Sequence, residues 1–102
     1  MTLAELKAEF RDRALDPDGL FLLNGPDAIA FIERGIANGF RLLGVEGFRI
    51  TDFGGYQPEQ DQSNDIADVN VSDAEFIEST KALIREGTQL GFRYEVVVEN
   101  GV

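Results

Sequence analysis

Apolar residues recur at spacings of three and four in three stretches of this chain and alternate with polar ones in two others, the periods of amphipathic helices and half-buried strands. Thr2-Leu3-Ala4-Glu5 has the capping-box order, in which the Thr hydroxyl accepts from an early N–H and the Glu reaches back. Leu3, Leu6, Phe10 and Ala14 continue as one stripe, Glu9 and Arg13 form an i,i+4 pair on the exposed side, and Asp16-Pro17-Asp18-Gly19 ends the helix. A second helix opens at Asn24-Gly25-Pro26-Asp27, with Pro in the first turn, where no N–H is missed. Its predicted buried face is Ile29, Ile32 and Ile36, flanked by Ala28 and Phe31, and Asn38-Gly39 closes it. Ser72-Asp73-Ala74-Glu75 is another capping box, followed by Phe76, Ile77, Thr80, Leu83 and Ile84 on one face up to Gly87.

Phe92, Tyr94, Val96 and Val98 alternate with Arg93, Glu95, Val97 and Glu99, which predicts a strand. Phe40 to Asp52 is extended as well. Its two similar halves, Phe40-Arg41-Leu42-Leu43 and Phe48-Arg49-Ile50-Thr51, suit a hairpin or one strand kinked at Gly44 and Gly47, and the kinked strand is preferred. Leu20-Phe21-Leu22-Leu23 fits a buried strand or a packed linker equally well. Phe53 to Val71, with Gly54, Gly55, Pro58 and many Asp, Asn, Gln and Ser residues, has no sustained apolar period and reads as a long loop.

This order predicts an α/β chain, with α+β left open, in which three helices pack on a small sheet in two layers. If the two main strands are neighbours, the crossover through the last helix makes them parallel. A length of 102 residues, 43% apolar and 27% charged, fits one domain with its own core.

Composition removes whole classes of chemistry. The chain has no Cys and no His, hence no thiol nucleophile, no imidazole base near neutral pH and no zinc site of the usual ligands. Gly44, Gly47, Gly54 and Gly55 follow neither nucleotide-binding order. Asp61, Ser63 and Asp65 alternate like calcium ligands, but counting from Asp61 the sixth position is Ile66, not Gly, and the twelfth is Ser72, not Glu. No metal or cofactor is therefore expected. The remaining enzymatic reading is a hydrolase using two carboxylates of the acidic region.

The formal net charge of −10 repels nucleic acid and anionic membrane surfaces, so neither is an expected partner. The N-terminus lacks the basic start and unbroken apolar run of a signal peptide, which makes a cytoplasmic location the expectation. The charge is uneven: no basic residue lies between Arg49 and Lys81, where eight acids fall. Such a run is ordinarily a solubilising surface. Here it coincides with the aromatic residues Phe53 and Tyr56, so Asp52, Phe53, Tyr56, Glu59, Asp61, Asp65 and Asp68 form the candidate partner-binding set. Rings supply area to bury, and carboxylates speed and orient the approach of a basic protein.

The chain also resembles the small bacterial immunity proteins that neutralise polymorphic or contact-dependent toxins. The resemblance runs over residues 26–99: the Ala- and Ile-rich helix Ala28 to Ile36, then Leu42-Leu43-Gly44, Phe48, Pro58 with Asp61 and Asp65, the acidic helix segment Glu75 to Ser79, and Tyr94-Glu95-Val96-Val97. It implies a protein made beside its toxin that binds tightly and blocks the active site or a neighbouring surface. The leading expectation is thus a non-enzymatic binding domain for a basic protein, a toxin domain if the resemblance holds. The alternatives are a structural or homo-oligomeric domain, such as a homodimer, paired through a sheet edge or an apolar helix face, and the carboxylate-dependent hydrolase.

Overall fold

A computed structural model describes residues 1–101. Helices α1 (Leu3–Phe10), α2 (Gly25–Ala37) and α3 (Asp73–Thr88) accompany strands β1 (Phe40–Ile50), β2 (Tyr56–Asp65) and β3 (Arg93–Asn100). The sheet has the order β2-β1-β3 and both pairings are antiparallel, an α+β arrangement of helices on a small sheet.

Local chemistry starts each helix. Thr2 accepts from the Glu5 N–H at 3.1 Å while the Glu5 carboxylate accepts from the Thr2 N–H at 2.8 Å. Asn24 accepts from Asp27 at 2.9 Å and Ser72 from Glu75 at 3.2 Å. These side chains satisfy N–H groups that have no partner within the helix. The predicted Glu9–Arg13 pair does not form. The α-helix ends at Phe10 and continues as a 3-10 turn over Arg11–Arg13, whose tighter winding changes the i,i+4 geometry. Glu9 instead takes two bonds from Arg34 of α2, at 2.9 and 3.2 Å, and Arg13 reaches Asp27 at 3.2 Å.

The core lies between the helices and the sheet. Leu6, Phe10, Ala28, Phe31, Ile32, Phe76 and Ile84 pack there with Phe40, Leu42, Val45, Tyr94, Val96 and Val98. The buried face of α2 is rotated from the predicted one: Gly25, Ala28, Phe31, Ile32 and Gly35 are buried, Ile29 is half-buried and Ile36 is exposed. Residues 20–23 form a packed linker. Leu22 pairs with Leu15, and Leu23 exchanges two backbone bonds with Tyr94 at the rim of β3. Phe21 lies at a tilt 6.1 Å from Phe31, which also meets Phe10 edge-on at 5.3 Å.

Two expectations about the sheet are overturned. Residues 53–71 are not a long loop, because Tyr56–Asp65 is a strand that folds back on β1 as a hairpin. β1 and β3 are neighbours but run antiparallel, because the crossover through α3 joins β2 to β3, the parallel outer strands on either side of β1. β1 itself is one kinked strand, as preferred, with register shifts between Leu42 and Gly44 against β3 and between Val45 and Gly47 against β2.

Candidate protein-binding surface

The hairpin tip is locked by its own backbone. Thr51 N–H donates to Gly55 O at 2.8 Å, Gly54 N–H to Thr51 O at 2.9 Å, and Gly55 N–H to the Thr51 hydroxyl at 2.9 Å. Gly54 takes φ +79, a left-handed value suited to a residue without Cβ. This turn points Phe53 away from the body of the protein, leaving it 100% exposed beside the exposed Asp52. An apolar ring fully in water gains nothing for folding, whereas burying it against a partner would recover its hydrophobic free energy.

From the tip, β2 descends along β1. Tyr56 is half-buried opposite Ile50. Glu59 pairs with Arg49 at 3.3 Å, and the Arg49 guanidinium also donates to Gln57 at 3.0 Å. The strand then bulges: Glu59 to Asn64 faces only Gly47 to Val45 on β1. Inside the bulge the polar side chains point to specific partners. Gln62 accepts from the Tyr94 hydroxyl at 3.0 Å. The Ser63 hydroxyl donates to Glu59 O at 2.9 Å and accepts from Gly47 N–H at 3.2 Å. Asn64 donates at 3.1 Å to Thr80 of α3, whose side chain is fully buried. Burial pushes the Tyr94 phenol up to about 12, since its charged form would lose water without a compensating charge.

The acids of the candidate set do not converge on one spot. Asp52 lies at the tip and Asp61 on the bulge, while Asp65 ends β2 and accepts from Ala67 N–H at 2.9 Å, opening a 3-10 turn that includes Asp68. From Ile50 to Gly44, alongside β2, the sheet covers about 20 Å. The set therefore forms a line along one sheet edge. Among the described residues no cation is within ion-pair reach of Asp52, Asp61, Asp65 or Asp68, and no group of three carboxylates is placed to hold a metal ion.

Sequence reasoning missed a second surface on the helix-free face of the sheet. A groove of about 610 Å³ is lined by Leu43, Val97, Ile66 and Ala67, with Arg41, Glu46 and Asp65 at its rim. The outward Val97 in the alternation of β3 was its one visible signal. Arg41 is held by Asp73 at 2.9 Å and by Glu99 at 3.6 Å, and the bonds from Arg41 keep the Asp73 carboxyl below its ordinary value. Glu46 and Asp65 are both exposed. No helix among the described residues is long and apolar enough to cross a membrane. No family model matches the chain, and no curated protein and no solved structure matches it at a significant level.

Proposed function

We propose that this chain is a non-enzymatic, acidic protein-binding domain that presents the β1–β2 hairpin and the β2 edge to a basic protein, in the manner of an immunity protein neutralising a toxin. The observation that carries this reading is the fully exposed Phe53, held out by a hydrogen-bonded turn at the head of a line of unpaired carboxylates. A buried aromatic anchor ringed by charge is the usual energetic centre of a protein interface, and complementary charge mainly raises the rate and selectivity of encounter. A net charge of −10 on so small a chain favours the approach of a partner of opposite charge.

The test is capture of proteins from lysate on the immobilised chain at about 0.1 M and about 1 M salt, where the screening length falls from roughly 10 Å to roughly 3 Å. Wild type is compared with Phe53→Ser and with Asp52→Lys/Asp61→Lys. These positions are chosen because neither carboxylate supports a hydrogen bond or ion pair within the described fold. The expected result is saturable capture of a basic protein that high salt and both variants reduce at least about tenfold. Capture indifferent to salt and to both variants would sink the reading.

A further inference from the structure

We infer that the groove on the helix-free face of the sheet docks a cationic amphipathic segment of the protein partner, in which an apolar side chain is flanked by Lys or Arg. This rests on the binding reading above and names a second contact, some 20 Å along the sheet from the Phe53 tip. Leu43 follows the buried Leu42 on β1, where the register against β3 shifts so that Gly44 stands opposite Val97, which is 44% exposed, and the turn after β2 brings Ile66 and Ala67 to the same groove. The result is an apolar floor in a volume of about 610 Å³, within the usual range of ligand sites and larger than one side chain fills.

Charge decides the occupant. Glu46 and Glu95 stand directly opposite each other on β1 and β3, an arrangement that costs stability through like-charge repulsion. Among the described residues no cation is within ion-pair reach of either. Asp65 joins Glu46 at the rim of the groove, while Glu95 stands beside it, across from Glu46. Arg41 is the one cation among the described lining residues, and Asp73 and Glu99 already engage it. Arg93, the nearest cation along β3, lies opposite Phe48 and donates to Gly91 O at 3.5 Å, and Lys7 of α1, which lines a neighbouring pocket with Glu95 and Val97, sits 5.5 Å from the Phe21 ring centroid and forms no ion pair among the described residues. A second copy of this chain would bring its own Glu46, Glu95 and Glu99 against the same acids, which disfavours self-pairing through this face. A partner side chain of Leu or Phe type entering the floor, with a guanidinium or ammonium between Glu46 and Glu95, relieves both the exposed apolar surface and the repulsion.

The probe is a short synthetic peptide alternating Leu and Arg, compared with one in which Ser replaces Leu and one in which Glu replaces Arg. Binding to the full chain is followed by fluorescence anisotropy and by backbone amide chemical shifts. The Leu/Arg peptide should bind at least about tenfold tighter than either comparator. Its shifts should gather at Leu43 to Glu46, Asp65 to Ala67 and Glu95 to Val97. Glu46→Lys/Glu95→Lys should abolish the preference, and Val97→Ser, a milder change that keeps the charges, should weaken binding several-fold. Equal binding of the Arg/Ser peptide, or shifts confined to Asp52, Phe53 and Asp61, overturns the groove and leaves the acidic hairpin reading standing. Concentration-dependent dimerisation that shifts the groove amides also overturns it, in favour of a second copy. Failure of the lysate capture described above removes the broader reading instead, so the two failures are distinguishable.

Discussion

The two edges of the sheet are built from opposite materials. β3 carries Val96-Val97-Val98 and places Tyr94, Val96 and Val98 in the core, with Leu23 closing one end of its rim. β2 reads Tyr-Gln-Pro-Glu-Gln-Asp-Gln-Ser-Asn-Asp, has no fully buried residue, and touches the interior through hydrogen bonds from its bulge. The difference teaches that one edge anchors the sheet through apolar burial, whereas the other is held by a few directed polar bonds and is free to vary its outer surface. Pro58, the bulge and the acids also protect an open edge against pairing with other chains.

This contrast can be broken at several points. The largest effect is expected from Tyr94→Ala, which empties a fully buried site on β3 and should cost about 3–5 kcal/mol in chemical denaturation. Gln62→Ala, on β2, leaves the buried Tyr94 hydroxyl without its acceptor and should cost about 1–3 kcal/mol; a loss below about 0.5 kcal/mol would show that the bulge is not held as described.

Alkaline titration probes the same contact from the other side. The Tyr94 phenol sits at about 12 in the fold against 10.0 in the open chain, so the folded state holds this proton more tightly. The associated stability is complete below pH 10 and is lost as pH rises toward 12, amounting to roughly 1 kcal/mol by pH 11. Thermal melts from pH 9 to 11 should show this slope in wild type, and Tyr94→Phe should flatten it relative to the other titrating groups. The smallest effect on stability is expected at Pro58→Val, within about 0.5 kcal/mol, because this edge position is exposed. Its signature should be a rise in light scattering with concentration, as the edge loses a residue that cannot donate to another strand.

Where signals were local, they could be read directly. Each helix carried its own cap at Thr2, Asn24 or Ser72, and β3 its own alternation, because those interactions join residues three or four apart or neighbours on one strand. The single kinked β1 was marked by Gly44 and Gly47. For the candidate surface, residue types and charge were readable, including Phe53 and the acids, but their arrangement and lack of ion-pair partners were not. β2 was hidden because Gln62, Ser63 and Asn64 are polar in order to meet atoms supplied from elsewhere in the chain: the Tyr94 hydroxyl, the Gly47 N–H and the Thr80 hydroxyl. A Cβ at Gly87 would collide with Tyr94 and Gln62, so even that glycine, which looked like a helix terminator, answers to a distant contact.

The helices, the central and final strands, the acidity and the lack of Cys and His are thus written in composition or in contacts between near neighbours. Tertiary structure alone decided the strand order, the antiparallel direction of β1 and β3, the existence of β2 and the groove. Those features depend on which distant backbones exchange hydrogen bonds, and the periodicity of a single segment carries no record of its partner.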